Sequence, residues 1–286
     1  MKVAIGLPTT IPDAQPDEVI EWARRAEAAG FSGLGTIDRL VYRNYEPMVA
    51  LSAAAAVTER VSLITSIALL PLRQNAALVA KQAATVQRLS GGRLVFGAAV
   101  GGRPDDYEAS RVPMEARGRR FEEMLDEMKR IWAGEERGFA GAIGPDVTDD
   151  PPKLVIGGQV DAAFRRAAKY GEGWISGGGP PDYFSPAVEK LEAAWRVAGR
   201  EDEPRKMSLT YFSLDDDPEA QARRTLGDYY AFAGEYADTI VEGAAKGAES
   251  AKERVHDFEA AGCDELIMFP ASSNPEQVDK LAAAVL

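Results

Sequence analysis

Short apolar runs alternate along the chain with segments whose apolar residues recur at helical spacing. The clearest example lies within residues 61–102, where the apolar run 61–70 is followed by a helical stripe over residues 78–89. Gly91 and Gly92 end that stripe, and residues 94–100 form a second run with no polar face, as expected of a strand buried on both sides. Two such strands joined by a helix predict a parallel βαβ unit.

The same alternation continues along the whole chain and predicts eight strands. These are residues 1–7, 31–37, 61–70, 94–100, 153–156, 173–176, 207–214 and 266–269. Helices are predicted between them, and the acidic run 215–217 caps the helix that follows the seventh strand. We therefore expect an α/β protein, a single-domain (β/α)8 TIM barrel over residues 1–286, with a doubly wound open sheet as the alternative.

Two segments interrupt this pattern. Residues 133–152 are rich in glycine, proline and acidic residues without any period, so we predict a surface excursion before the fifth strand. Residues 103–113, which follow the fourth strand, are predicted to form a loop.

Composition narrows the range of partners and locations. The 33 basic and 45 acidic residues give a net charge of −12, which repels phosphate backbones and anionic membranes, so neither nucleic acid nor a membrane is expected as a partner. A single cysteine, Cys263, excludes an internal disulfide, and with no leader or long apolar run we expect a cytoplasmic protein. The single histidine, His256, excludes a multi-histidine metal site, and no metal is expected.

The glycines divide into two groups by their position relative to the strands. In a barrel, segments running from strand to helix lie on the catalytic face, and segments running from helix to strand lie on the opposite face. Gly91 and Gly92, like Gly30 and Gly262, precede strands and are predicted to end helices. On the catalytic face we expect glycines whose backbone N–H groups hold a phosphate, with simple tight turns as the alternative. These glycines are Gly101, Gly102, Gly157, Gly158, Gly177, Gly178 and Gly179.

Charged side chains follow the second and third strands. Asp38 and Arg39 form an adjacent acid and base at a strand end, where they serve either catalysis or a structural ion pair. Arg39 does not release its proton near neutral pH, so we predict that it acts by electrostatics. Arg73 is expected to contact a cofactor, and Arg103 and Tyr107 are expected to cover the mouth of the barrel.

The central stretch resembles the signature of a known family. Residues 70–102 read LPLRQNAALVAKQAATVQRLSGGRLVFGAAVGG, and the likeness extends to GLP at 6–8, TIDR at 36–39, LVIGG at 154–158 and CDELIMFP at 263–270. These motifs are similar to those of the luciferase-like monooxygenases, and they cover nearly the whole chain.

This resemblance implies a redox function. It suggests reduced FMN and oxygen acting on a small organic substrate, with a separate flavin reductase as a possible partner. A hydride-transferring enzyme that uses the deazaflavin coenzyme F420, and a non-catalytic flavin-binding protein, are the alternatives. Several relatives have a histidine where Arg39 stands, which argues against a histidine-dependent mechanism here. The resemblance also suggests a homodimer formed by barrel helices.

The resemblance and the barrel geometry together define the candidate site. The resemblance places the cofactor phosphate at the loops after the middle and later strands, and it implies a cis peptide bond between Ser66 and Ile67 beneath the flavin ring. The predicted catalytic residues are Asp38 and Arg39. The predicted cofactor-binding residues are Gly6, Ser66, Ile67, Arg73, Gly101, Gly102, Gly157, Gly158, Gln159, Gly177, Gly178 and Gly179.

Overall fold

Nine parallel strands form one sheet, and eight of them close into a barrel. The computed structural model describes residues 1–286. The strands are β1 (Lys2–Gly6), β2 (Gly33–Thr36), β3 (Ser62–Leu69), β4 (Leu94–Ala99), β5 (Lys153–Gly157), β6 (Gly173–Ile175), β7 (Arg205–Ser213), β8 (Ala245–Lys246) and β9 (Glu265–Pro270). The first seven strands and β9 correspond to the eight predicted strands.

Closure of the sheet decides between the two predicted topologies. Strands β1 to β6 pair in chain order, β1 also pairs with β9, β9 pairs with β7, and β6 pairs with β7. Every strand of the ring therefore has two neighbours, and the (β/α)8 barrel is confirmed while the open sheet is wrong. The two-residue strand β8 pairs with Phe212 and Ser213 at the carboxyl end of β7, beyond the residues that pair with β6.

Eleven helices surround the barrel, and several begin at a side chain that caps them. They are α1 (Pro16–Ala29), α2 (Pro47–Ala55), α3 (Ala76–Leu89), α4 (Pro104–Ser110), α5 (Arg117–Trp132), α6 (Asp161–Tyr170), α7 (Phe184–Val197), α8 (Pro218–Tyr229), α9 (Glu235–Gly243), α10 (Ala248–Ala260) and α11 (Glu276–Val285). At the start of α3, Asn75 accepts a hydrogen bond from the Leu78 N–H at 3.0 Å. Asp217 accepts one from the Ala220 N–H at 3.0 Å, so the predicted acidic cap of α8 is confirmed.

The structure differs from the sequence prediction in two places. The predicted loop 103–113 contains α4, whose start has the usual helix signals: proline in the first turn, followed by Asp105 and Asp106. Between β7 and β9 the chain forms three helices and β8 where two helices were predicted. Residues 133–152 are irregular as predicted, with only one 3₁₀ turn at Gly138–Ala140 and one isolated bridge.

The core has two layers, one inside the barrel and one between the barrel and its helices. Small and branched side chains from all parts of the ring fill the interior, as is usual for this fold. They include Ala4, Ile64, Val95, Val155, Ile175, Met207 and Ile267. The outer layer includes the predicted stripe of α5, from Phe121 to Trp132, which is buried against the sheet.

The glycines between helices and strands end helices as predicted. Gly91 and Gly92 lie between α3 and β4 with φ of 66° and 88°, and Gly30 and Gly262 have φ of 97° and 85°. Such values favour glycine, because a side chain is strained there. None of the helices is long and apolar enough to cross a membrane.

Candidate functional site

The carboxyl ends of the barrel strands form the mouth of the barrel, where Ile67 packs against the interior core. The Ser66–Ile67 peptide bond is cis, as predicted, and the pairing of β3 with β4 shifts register between Thr65 and Ala68. The half-buried Ile67 side chain lies over Gly97 and Gly157. A Cβ atom on Gly157 would lie 2.2 Å from Ile67 Cδ1, so the glycine is needed for Ile67 to occupy this place.

Two of the predicted glycine loops lie together. Gln159 Nε2 donates to Ser176 Oγ at 3.4 Å, which joins the end of β5 to the end of β6. Gly158 has a φ of 127°, which only glycine adopts readily. Gly177 has no atom within 4 Å of the position a Cβ would take, and Gly179 has only a Tyr183 ring carbon at 3.8 Å. The loop after β6, residues 177–179, therefore has open space beside its backbone at Gly177 and Gly179, as a bound phosphate would require.

Other predicted glycines face a neighbouring side chain. A Cβ on Gly178 would lie 3.0 Å from side-chain atoms of both Leu209 and Tyr211, and one on Gly6 would lie 2.1 Å from the Phe269 ring. These two glycines make room for packing in the barrel, and their predicted contact with a cofactor stays a prediction. Among the glycines after β4, Gly101 has a φ of 75° and packs against Leu69, whereas Gly102 faces open space.

Asp38 and Arg73 form an ion pair at the rim of the mouth. Asp38 Oδ2 accepts hydrogen bonds from Arg73 Nη2 and from the Leu69 N–H, both at 2.8 Å. Arg73 Nη1 also donates to Glu46 at 2.6 Å. Burial lowers the pKa of Arg73, but its two carboxylate partners outweigh this and raise the pKa above its ordinary value. The predicted alternative of a structural ion pair between Asp38 and Arg39 is therefore wrong, because Asp38 pairs with Arg73.

Arg39 points away from Asp38 into a group of aromatic rings. Its Nη1 donates to the Tyr229 carbonyl oxygen at 2.9 Å, and its guanidinium carbon lies 4.7 Å from the centre of the Tyr42 ring. Asp105 is its carboxylate neighbour, at 3.6 Å. The Nε atom of Arg39 is buried and has no hydrogen-bond partner.

A cavity of about 280 Å³ opens between Arg39 and Arg73. Leu40, Asn44, Pro47 and Leu72 complete a lining that combines both signs of charge with apolar surface. It lies at the carboxyl ends of β2 and β3, and it can hold a small molecule beside the mouth.

Arg103 lies in the same aromatic group and has no carboxylate close enough for an ion pair. Its guanidinium carbon is 3.8 Å from the centre of the Phe232 ring and 4.8 Å from that of Tyr229. Nη1 is buried without a hydrogen-bond partner. A guanidinium held only by ring faces can take an anionic ligand without first losing a carboxylate.

Sequence reasoning missed the aromatic residues that surround these two arginines. Tyr229 ends α8, Tyr230 and Phe232 lie between α8 and α9, and Tyr211 faces the barrel interior from β7. We call this set, with Tyr42, the aromatic cover. The sequence YYAF at 229–232 carried a signal, because four adjacent residues with three aromatic rings do not fit one face of a helix.

Burial raises the pKa of every phenol in the aromatic cover. The positive charge of Arg103 partly opposes this rise in pKa at Tyr211, Tyr229 and Tyr230. Tyr107, predicted at the mouth, is instead buried with Leu72 and Val112 and donates to the Val100 carbonyl oxygen. Burial raises its pKa to about 12.

The single histidine and the single cysteine lie away from the mouth. His256 is exposed on α10. Cys263 is buried at the amino end of β9, where burial raises the pKa of its thiol to about 12. No group of three or more histidine, cysteine, aspartate or glutamate side chains is arranged to hold a metal ion.

The fold and this mouth define a class: parallel barrels whose strand ends carry an apolar platform, glycine-rich loops and arginines. The sequence profile of the luciferase-like monooxygenases matches residues 1–285. An uncharacterized protein of Mycobacterium tuberculosis is 31% identical over 228 residues, which cover 68% of this chain and 78% of that protein. The chain therefore belongs to the luciferase-like monooxygenase family, a family of oxidoreductases.

Relatives with named activities include enzymes of two kinds. An F420-dependent glucose-6-phosphate dehydrogenase of Tsukamurella paurometabola is 27% identical over 246 residues, covering 78% of this chain and 73% of the enzyme. An F420-dependent secondary alcohol dehydrogenase, solved with an F420–acetone adduct, superposes with a TM-score of 0.82 at 20% identity and covers 100% of this chain and 98% of its own. The FMN complex of 3,6-diketocamphane monooxygenase from Pseudomonas putida superposes with a TM-score of 0.73 at 15% identity, and the match covers 100% of this chain and 99% of that one.

Proposed function

We propose that this protein is a flavin-dependent monooxygenase that binds reduced FMN at the mouth of the barrel and uses oxygen to oxidise a small organic substrate. The arrangement at Ile67 carries the proposal, because a half-buried apolar side chain on top of the barrel core offers a flat ring a surface to lie on. The family's name points to the same chemistry.

The residues around Ile67 can hold the other parts of the cofactor. Gly177 and Gly179 have open space beside their backbone, which suits a phosphate, and Gly158 and Gln159 lie on the adjoining loop. The unpartnered Nη1 of Arg103 supplies positive charge at the mouth. When bound, reduced FMN would supply the two electrons of the reaction. The cavity lined by Asp38, Arg39 and Arg73 would then hold the substrate.

The second candidate is hydride transfer with F420, and the named relatives favour it. Both the dehydrogenase of T. paurometabola and the alcohol dehydrogenase structure are F420-dependent. In this reaction the same platform would hold the deazaflavin ring, and no oxygen would be consumed.

Cofactor binding separates these candidates. The purified apo-protein is titrated with FMN and, separately, with F420, and the fluorescence of each ring is followed. Tight binding of FMN, together with oxygen consumption when a flavin reductase keeps it reduced, supports the monooxygenase. Tight binding of F420 alone supports hydride transfer. Binding without turnover over a broad panel of small organic substrates points to a flavin-binding protein, and no binding of either cofactor contradicts the proposal.

We also propose that the protein is a homodimer that associates through α2. All residues of this helix except Ser52 are apolar, and its Val49 is 66% exposed, as is 52% of Leu78 on α3, the helix that α2 packs against. A helix without a polar face is normally covered. Sedimentation should show a dimer at micromolar concentration, and Val49→Glu should yield monomers with an unchanged circular dichroism spectrum. A wild-type monomer across this range would refute the proposal.

A further inference from the structure

Two tyrosines at the mouth of the barrel form a hydrogen-bonded pair that the proposed binding of FMN does not use. Tyr211 lies on β7 and faces the barrel interior, and Tyr230 follows α8 in the aromatic cover. Their phenol oxygens are 2.5 Å apart, and their ring centres are 5.8 Å apart at 78°. Tyr211 also packs against Phe269 and against the backbone of Gly178. The pair therefore joins the barrel interior to the loop that we propose binds phosphate.

The pair has one proton more than its hydrogen bond uses. Each phenol carries one O–H, either oxygen can be the donor, and the bond between them engages one proton only. Neither phenol oxygen has another hydrogen-bond partner in the protein. The second proton is therefore available to a ligand that enters the mouth.

Candidate acids other than tyrosine are excluded by position, by their contacts or by their chemistry. His256 is exposed on α10, outside the mouth. Asp38 is engaged by Arg73 and by the Leu69 N–H. Arginine does not release its proton at working pH, so Arg39, Arg73 and Arg103 cannot act as acids.

The surroundings favour Tyr230 as the member that releases its proton. The Arg103 guanidinium carbon lies 5.9 Å from the centre of the Tyr230 ring, so its charge stabilises a tyrosinate there. The Tyr211 O–H can donate to the same oxygen once it is ionised. Burial raises the pKa of both phenols, which keeps them protonated before the reaction, while Tyr211 and Arg103 both act to lower the pKa of Tyr230.

We propose that Tyr230 donates the single proton that each turnover consumes and that Tyr211 is its positioning residue. This inference rests on the proposed function. In oxygen insertion, the anionic reduced cofactor would supply two electrons and one proton; one oxygen atom would enter the substrate, and the other would leave as water after taking up that proton and one more. Reduction of a carbonyl by the F420 route likewise takes a hydride at carbon and one proton at oxygen. In either case the Tyr230 O–H bond breaks as the new O–H bond forms, and the tyrosinate regains a proton from solvent.

The test compares phenol-to-phenyl substitutions, which keep the rings and remove the protons. Turnover is followed with whichever cofactor the wild-type protein binds: formation of oxygenated product from a panel of small organic substrates with reduced FMN and oxygen, or oxidation of reduced F420 by a panel of carbonyl compounds. Tyr230→Phe should slow turnover about 100-fold and Tyr211→Phe about tenfold, each with a cofactor Kd within about twofold of wild type. Tyr236→Phe, an exposed phenol on α9, is the control and should leave the rate unchanged.

A second measurement does not depend on turnover. The protein is labelled with ¹³C at the tyrosine Cζ atoms and observed by NMR. Each resonance is assigned by its disappearance when that tyrosine is replaced by phenylalanine. Addition of the oxidised cofactor should shift the Tyr230 and Tyr211 resonances and leave that of Tyr170, on α6, in place. Slow turnover in Tyr230→Phe together with these shifts supports the inference. A wild-type rate in Tyr230→Phe, or no shift at Tyr230 when the cofactor is bound, overturns it while leaving cofactor binding intact. A wild-type protein that binds neither cofactor refutes the proposed function itself.

Discussion

The contact between Gly157 and Ile67 makes a quantitative prediction about the platform at the mouth. A Cβ on Gly157 would lie 2.2 Å from Ile67 Cδ1, well inside the separation of about 3.5 to 4.0 Å at which carbon atoms attract. Its other two neighbours, Ala99 Cβ and Ile175 Cγ2, would be at 3.5 Å, an ordinary contact. The strain in Gly157→Ala therefore has one source. We expect a loss of about 1 to 3 kcal/mol in the free energy of unfolding, typical of overpacking.

Removal of the conflicting atom should relieve this strain. Ile67→Val deletes Cδ1 and should cost about 0.5 kcal/mol by itself, the low end for this change, because Ile67 is only half-buried. The double variant Gly157→Ala/Ile67→Val should then be about as stable as Ile67→Val alone, which gives a coupling energy of about 1 kcal/mol or more.

Urea unfolding of the wild type, the two single variants and the double variant measures this coupling. Thermal melting is a second readout, in which Tm shifts by about 3 °C per kcal/mol for a chain near this size. Gly177→Ala is the matched control, because no atom lies within 4 Å of its Cβ position. Strictly additive losses, or a Gly157→Ala protein as stable as wild type, would show that Ile67 does not occupy the space over Gly157. The platform on which the proposed ring binding rests would then be misplaced.

Three further predictions concern the rest of the site and the core. Arg39→Lys keeps the charge but loses the planar guanidinium that lies against Tyr42, so activity should fall in steady-state assays while the pH optimum stays constant. A displaced optimum would reveal a titrating role. Gly179→Val should weaken cofactor binding roughly tenfold or more, as measured by fluorescence titration. The unfolding free energy should change little, because only one ring carbon lies near the Cβ position of Gly179. A cofactor affinity equal to that of wild type would show that the phosphate does not bind at this loop. Burial raises the pKa of Cys263 to about 12, so the folded protein holds this proton more tightly than the unfolded chain. The unfolding free energy should therefore decrease as pH rises from about 9 towards 12, and Cys263→Ala should lessen that decrease; an identical slope in both proteins would contradict the buried thiol.

Local patterns in the sequence were sufficient for the strands and helices of the barrel, whereas closure of the ring was seen only in the structure. The alternation of strand-length apolar runs with helical stripes, and glycines such as Gly30 and Gly92 after helices, are short-range signals that reflect local geometry. The motif around residues 70–102 identified the family and with it the cis bond before Ile67. The helix α4 was missed although Pro104, Asp105 and Asp106 are local start signals, so this error was one of interpretation.

The tertiary structure decided which side chains meet at the mouth. Asp38 pairs with Arg73, 35 positions away in the sequence, and Arg39 next to it turns towards Tyr229. Gly6 and Gly178 accommodate Phe269 and Tyr211, which come from strands remote in sequence. The pairing of Tyr211 with Tyr230 likewise depends on how the segment after α8 returns over the barrel. Periodicity reports only which face of an element is buried, whereas the partner across the barrel depends on closure of the ring, to which every strand contributes.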